Sequence, residues 1–217
     1  MTRQFAHDVL EEVPRLVTTT PVALPAEVRW HGRGGQGVVT ASRLLATAAL
    51  RGGFFPQSLP DFGAERSGAP IAAYTRVGDS PPTMRGPVTN PALVLILDPS
   101  LIGSVDVLEG VLPGAAVVVN STRSPENERD RLGRSDIVIC TIDGTAIGEE
   151  LIGRPLPNVP MLGALLTVYP IVDLETMTDA VRAQLGEIFS ERVVNGNIAA
   201  LQRGNELARS VGQGGIQ

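Results

Sequence analysis

Three short aliphatic runs constrain this chain more than any other feature. Leu93–Leu97 and Ala115–Val119 are unbroken, and Asp136–Ile142 contributes Ile-Val-Ile-Cys. A half-exposed strand alternates apolar and polar residues, whereas an unbroken run needs cover on both faces. Such strands belong in the middle of a sheet sandwiched between other layers. Aromatic residues are only 4% of the chain, so that core must be built from Val, Leu, Ile and Ala.

The remaining segments supply the layers. Glu27–His31 predicts a short strand, and Gly32–Gly37 a glycine-rich turn. Val38–Leu50 carries apolar residues at helical spacing (Val38, Ala41, Leu44, Leu45, Ala48), and Arg51-Gly-Gly53 stops it. Phe54–Leu59 and Ala69–Val77 predict two strands joined by the polar loop Asp61–Gly68, with a turn at Gly78-Asp-Ser-Pro-Pro82. Leu101–Leu108 predicts a helix between two aliphatic strands, and Glu126–Leu132 is a charged segment, helical or loop. Ala146–Leu151, Met161–Tyr169, Leu174–Leu185 and Ile188–Arg209 predict a helical C-terminal quarter.

The expected fold is therefore α/β: a three-layer α/β/α sandwich, Rossmann-like, around a largely parallel or mixed central sheet. Residues 1–26 read as an N-terminal extension, with a short amphipathic helix over Phe5–Val17 and a proline-stiffened linker over Thr18–Pro25. That extension is either a frayed tail or an arm on a partner subunit. Residues 27–208 form one domain, and residues 209–217 a flexible C-terminal end.

Composition removes several function classes. With 43% hydrophobic and 19% charged residues, the chain is not of the disordered type. A net charge of −5 argues against nucleic-acid binding, which dense positive charge drives. All 18 basic residues are Arg; the absence of Lys excludes Schiff-base chemistry and a Walker-type phosphate lysine. The one cysteine, Cys140, holds neither an internal disulfide nor a cysteine-ligated cluster by itself, and His7 and His31 are too few for a typical zinc site. No metal-ligating and no catalytic set emerges. Cys140 sits in an apolar run, which predicts a buried and inert thiol. Asp8, Glu11 and Glu12 are unlike a secretory signal, and no run reaches the ~18 apolar residues of a membrane helix. The expectation is a soluble cytoplasmic protein without membrane insertion.

The strongest local motif is His31-Gly-Arg-Gly-Gly-Gln-Gly37, in which Gly32-x-Gly34-x-x-Gly37 follows a strand and opens a helix. Glycines let backbone approach a ligand, and the N–H groups of a helix start favour an anion. Arg33 adds a full charge. The same pattern also makes a tight turn that binds nothing. A dinucleotide site wants an acid about 20 residues on for the ribose. Asp61, 24 residues past Gly37 and behind Pro60, is not cleanly at a strand end. The second motif, Asp61-Phe-Gly-Ala-Glu-Arg-Ser-Gly-Ala-Pro70, offers Arg66 as a bidentate phosphate or carboxylate ligand, or simply a solvated Glu65-Arg66 pair. The third, Asn158-Val-Pro-Met-Leu-Gly-Ala-Leu165, is a small-residue helix start whose Asn caps the helix or bonds a ligand.

These three motifs, in this order and joined by Leu97-Asp-Pro-Ser-Leu101 and Asn195-Gly-Asn-Ile-Ala-Ala-Leu-Gln-Arg-Gly204, resemble the gamma subunit of 2-oxoacid:ferredoxin oxidoreductases. The resemblance covers residues 27 to about 208. It implies a non-autonomous subunit of an enzyme that oxidatively decarboxylates a 2-oxoacid to an acyl-CoA and passes electrons to ferredoxin or another acceptor. Thiamine diphosphate with Mg and [4Fe-4S] clusters would lie on partners: catalytic alpha and beta subunits and a ferredoxin-like delta subunit or domain.

For this chain the resemblance implies contact with coenzyme A. Gly32, Arg33, Gly34, Gly35, Gln36, Gly37 and Val38 would offer the loop and its N–H donors, and Thr40 a hydroxyl. Arg66, Ser67 and Gly68 would meet a phosphate, and Asn158 would complete the site. Two departures stand out. The extension 1–26 precedes the usual start of the domain, and Glu65-Arg66 stands where some relatives carry two basic residues. Two other readings remain open: a free-standing NAD(P)-binding reductase, and a purely structural subunit.

Overall fold

The computed structural model describes residues 22–61, 68–84 and 86–211. In chain order the elements are β1 (Ala26–Arg33), α1 (Val38–Arg51), β2 (Phe55–Asp61), β3 (Pro70–Gly78), β4 (Leu93–Ile96), a 3-10 turn (Pro99–Leu101), β5 (Ala116–Asn120) and α2 (Pro125–Leu132). They continue with β6 (Val138–Ile142), α3 (Gly144–Ile152), α4 (Asn158–Val168), α5 (Leu174–Gly186), α6 (Glu191–Leu207) and β7 (Arg209–Val211). The expected helix Phe5–Val17 and the linker up to residue 21 lie outside the described residues, as does the segment 62–67.

One seven-stranded sheet runs in the order β2-β3-β1-β4-β5-β6-β7. Its middle, β1-β4-β5-β6, is parallel. β3 lies antiparallel along the whole of β1, and β2 antiparallel to β3. The sheet is thus mixed, as the loop between two predicted strands implied. The three aliphatic runs are β4, β5 and β6, and every residue of β4 and β5 is buried.

Two cores sit on the two faces. Leu44 and Leu45 of α1, Met161, Leu162 and Leu165 of α4, and Leu201 of α6 pack against Trp30, Leu95 and Val118. On the other face Val94, Ile96, Val117, Val119 and Ile139 meet Leu101, Val107 and Val111. That second layer is thin. The helix expected over Leu101–Leu108 does not form; only the 3-10 turn does, followed by tight turns. Gly103 takes φ +90°, and the Asp106 carboxylate accepts from the Leu108 N–H. Short polar side chains that bond nearby backbone compete with helix in this way.

The charged segment near residue 126 is a helix, because both its ends are capped. Ser124 accepts from the Asn127 N–H, Pro125 opens the first turn, and Gly133 closes it at φ +67°. The motifs near 163 and 204 prove to be two sides of one contact. Gly163 of α4 faces the Leu201 carbonyl of α6, and Gly204 faces the Pro160 carbonyl. Either Cβ would strike backbone, so only glycine lets these helices approach so closely. Residues 209–211 pair with β6 as an edge strand.

Candidate functional site

The glycine motif falls where an open α/β sheet offers a crevice. From β1 the chain crosses to β2 and β3 on one side of the sheet; β4 lies on the other side of β1. Beyond the carboxyl ends of β1 and β4 the connections diverge, and ligands of such sheets bind at that point.

Each glycine there has a separate reason. At Gly32 an added Cβ would meet Val38 Cγ2 at 2.5 Å. Gly35 has φ +95°, and among the described residues nothing lies within 4 Å of its Cβ position, so its backbone faces the crevice. Gly37 is the N-cap of α1 at φ +79°, and no side chain caps that helix. The first-turn N–H groups of α1, which include Val38 and Thr40, therefore have no capping side chain. Val38 itself is buried, so its side chain serves packing, while Thr40 is half-buried at the helix start.

Gln36 and Arg33 converge on a residue whose role the sequence did not disclose, Asp98. Gln36 Nε2 donates to Asp98 Oδ2 (2.9 Å), while Gln36 Oε1 accepts from the Arg33 N–H (2.8 Å). The Arg33 guanidinium lies 3.1 Å from Asp98 Oδ2. It also donates to Ser100 Oγ (3.1 Å) and to the Gly68 carbonyl (3.0 Å). The other Asp98 oxygen accepts from the Ser100 N–H (2.9 Å). Partial burial works to raise the Asp98 pKa, but the Ser100 and Gln36 hydrogen bonds and the Arg33 charge outweigh it and hold the carboxyl below its usual range. The signal for Asp98 was its position: the first polar residue after an aliphatic strand.

Gly34 donates its N–H to the Ala69 carbonyl (3.1 Å), so the far end of the second motif is stitched to the first. Gly68, at φ +83°, belongs to that junction. Arg66 and Ser67 lie outside the described residues. Asn158 does not cap its own helix: it is the first residue of α4, which has no side-chain cap. Its amide instead reaches the Gly37 carbonyl at 3.5 Å. Sequence reasoning also missed Asn120, at the end of β5. It donates to the Leu97 carbonyl (2.9 Å) and Thr145 Oγ1 (2.8 Å) and accepts from the Thr145 N–H (3.2 Å), lacing β4, β5 and α3 together.

Among the described residues nothing reactive joins this arrangement. Among the described residues no group of three or more His, Cys, Asp or Glu side chains is placed to hold a metal ion. Burial, reinforced by the Arg29 charge, drives the His31 pKa down to about 4, with Asp106 opposing. Burial pushes the Cys140 thiol up to about 12. Asp61 does end a strand, but β2 is separated from β1 by β3. It also accepts from the Tyr74 hydroxyl (3.4 Å). That is not the placement a ribose-binding acid has in a dinucleotide fold, at the end of the strand beside the glycine turn. No helix among the described residues is long and apolar enough to cross a membrane.

Comparison with known proteins agrees with this geometry. Residues 27–207 match the family described as pyruvate ferredoxin/flavodoxin oxidoreductase. The chain is 41% identical over 180 residues to the pyruvate synthase subunit PorC of Thermotoga maritima, covering 83% of this chain and 93% of that one. It is 39% identical over 166 residues to the pyruvate/ketoisovalerate oxidoreductases common subunit gamma of Thermococcus kodakarensis, covering 76% and 90%. The crystal structure of the Thermotoga maritima pyruvate oxidoreductase subunit PORC superposes with a TM-score of 0.75 at 38% identity, covering 85% of this chain and 97% of that one. A 2-oxoglutarate:ferredoxin oxidoreductase from Magnetococcus marinus, solved with 2-oxoglutarate, coenzyme A and succinyl-CoA bound, shares the fold. Its TM-score is 0.67 at 19% identity, with 83% of this chain and 30% of that one covered. The chain belongs to the pyruvate ferredoxin/flavodoxin oxidoreductase family, and its homologues are gamma subunits of pyruvate and ketoacid oxidoreductase complexes.

Proposed function

We propose that this chain is the gamma subunit of a complex that oxidatively decarboxylates a 2-oxoacid, pyruvate being the first to test, to an acyl-CoA. Its own task is to bind the nucleotide end of coenzyme A and complete the active-site cavity. Thiamine diphosphate with Mg and the [4Fe-4S] clusters sit on the alpha, beta and delta partners and supply decarboxylation and electron transfer. A single cysteine leaves this chain unable to hold a four-cysteine cluster alone. The complex works in the cytoplasm.

The observation that carries the reading is the uncapped, glycine-bounded start of α1 at the crevice between β1 and β4. The Gly34 and Gln36 N–H groups are taken by the Ala69 and Arg33 carbonyls, so the donors for a phosphate are those of Gly35, Gly37 and Val38, with space at Gly35 and a hydroxyl from Thr40. Gly68, with Arg66 and Ser67 ahead of it, borders the same crevice, and Arg66 supplies the cation. Asn158 holds the loop from the side of α4. Among the described residues the crevice carboxylate of shifted pKa, Asp98, is held ionised against its partial burial by Ser100, Gln36 and Arg33, so binding rather than chemistry is the role.

The test is steady-state kinetics of the assembled complex, reading 2-oxoacid-dependent reduction of an electron acceptor. Gly35→Ala and Arg66→Ala raise the apparent KM for coenzyme A, by about tenfold for the lost charge-assisted contact of Arg66. The KM for the 2-oxoacid stays put. Unchanged coenzyme A dependence in both variants would leave the chain a structural subunit.

A further inference from the structure

Arg33 stands within the glycine loop, yet its guanidinium already has partners. It faces Asp98 Oδ2 at 3.1 Å, Ser100 Oγ at 3.1 Å and the Gly68 carbonyl at 3.0 Å. The same Asp98 oxygen takes the Gln36 amide at 2.9 Å. Asp98 thus places a negative charge directly behind a loop suited to anions. The pair is not sealed from the crevice: the Arg33 side chain is 33% exposed and Asp98 15%. A bare carboxylate there would repel a phosphate through a medium only partly screened by water.

We propose that Arg33 is a positioning residue that masks Asp98, rather than a ligand of the bound phosphate. Its guanidinium cancels the carboxylate charge and ties Gly68 to the end of β4. The carboxylate, through Gln36, in turn fixes the glycine loop. The ligand then meets backbone N–H groups beside an internally neutral pair. This rests on the coenzyme A reading above and specifies how the site is kept receptive to an anion.

The two roles for Arg33 make opposite demands on a double variant. If Arg33 masks Asp98, Arg33→Gln exposes the carboxylate and raises the coenzyme A KM of the complex by about tenfold. Adding Asp98→Asn removes the charge that needed masking, and the KM of R33Q/D98N returns to within about threefold of the parent. The amide introduced by Asp98→Asn also keeps an acceptor for the Ser100 N–H, so the 3-10 turn retains its cap. If Arg33 grips phosphate directly, the double variant stays as weak as R33Q or weaker, and the proposal fails. A coenzyme A KM unchanged in R33Q overturns it equally.

Gly35→Ala, measured in the same series, separates this from the broader reading. Its Cβ meets no atom of the described residues within 4 Å, and at φ +95° it also strains the loop, so G35A perturbs the loop and the crevice together. A shift in G35A without recovery in R33Q/D98N rejects the masking role alone. No shift in G35A or in R33Q rejects coenzyme A binding at this loop, and masking with it. The KM for the 2-oxoacid, constant throughout, certifies assembly.

Discussion

The side-chain amide of Asn158 lies 3.5 Å from the carbonyl of Gly37, 121 residues earlier in the chain. One residue opens α4 and the other caps α1, and neither helix carries a side-chain cap. A Cβ on Gly37 would collide with the Asn158 side chain. Two helix starts therefore meet at the crevice, and both present partial positive charge. An anion between them would ease that juxtaposition, which ties the fold of this chain to the ligand it is proposed to take.

The α4–α6 crossing is the first place where stability can be read. Gly163→Ala or Gly204→Ala must push a Cβ into facing backbone. Overpacking of that kind costs about 1–3 kcal/mol or more, exceeding the ~1 kcal/mol that Ala gains over Gly in a helix. Gly186, at the end of α5, has nothing within 4 Å of its Cβ position. Gly186→Ala is therefore neutral or slightly stabilising. Chemical denaturation of the three variants checks the contrast, and equal effects would contradict it.

His31 makes stability depend on pH. Its pKa is near 4 in the folded chain and 6.5 when exposed, because burial, then Arg29, disfavour the imidazolium. Above pH 6.5 both states are neutral and His31 contributes no slope. As pH falls from 6.5 toward 4 the unfolded chain takes the proton first, and the fold loses stability, by about 2–3 kcal/mol at pH 4.5. Denaturation curves at pH 7 and 4.5 should differ by that much more in the parent chain than in His31→Gln. Parallel losses in both chains would mean that His31 titrates normally.

Thr75→Val tests the buried hydroxyl cluster beneath α1. Trp30 Nε1 donates to Thr75 Oγ1 (2.9 Å), and Ser42 Oγ joins the same atom (2.9 Å). Valine keeps the shape but strands a fully buried indole N–H, which costs about 1–3 kcal/mol. Trp30 is the sole tryptophan, so its fluorescence reports both the environment and the unfolding transition. An unchanged midpoint and spectrum would show the bond to be dispensable.

The sheet was legible because burial writes itself into composition: Leu93–Leu97, Ala115–Val119 and Asp136–Ile142 were readable as doubly covered strands, and they overlap β4, β5 and β6. The glycine turn was legible because Gly32 and Gly37 answer to local demands of space and φ. What stayed hidden depended on distant partners. No local pattern says that Asp98 will hold both Gln36 and Arg33, or that Asn120 will bond Leu97 and Thr145. The segment after Pro99 looked helical because its apolar spacing was suitable; Gly103 and the side chain of Asp106 turned it instead. Asn158 stood at a helix start and so resembled a cap, but its contact lies on α1.

The proposed function places this chain inside a thiamine- and iron-dependent 2-oxoacid oxidoreductase. The direct measurement is an anaerobic affinity purification of the chain from its native host, with iron and thiamine diphosphate assayed on the eluate. The account predicts larger subunits carrying both cofactors, and coenzyme A-dependent oxidation of a 2-oxoacid by the eluate. A chain recovered alone, free of iron and thiamine but holding a nicotinamide nucleotide, would contradict it.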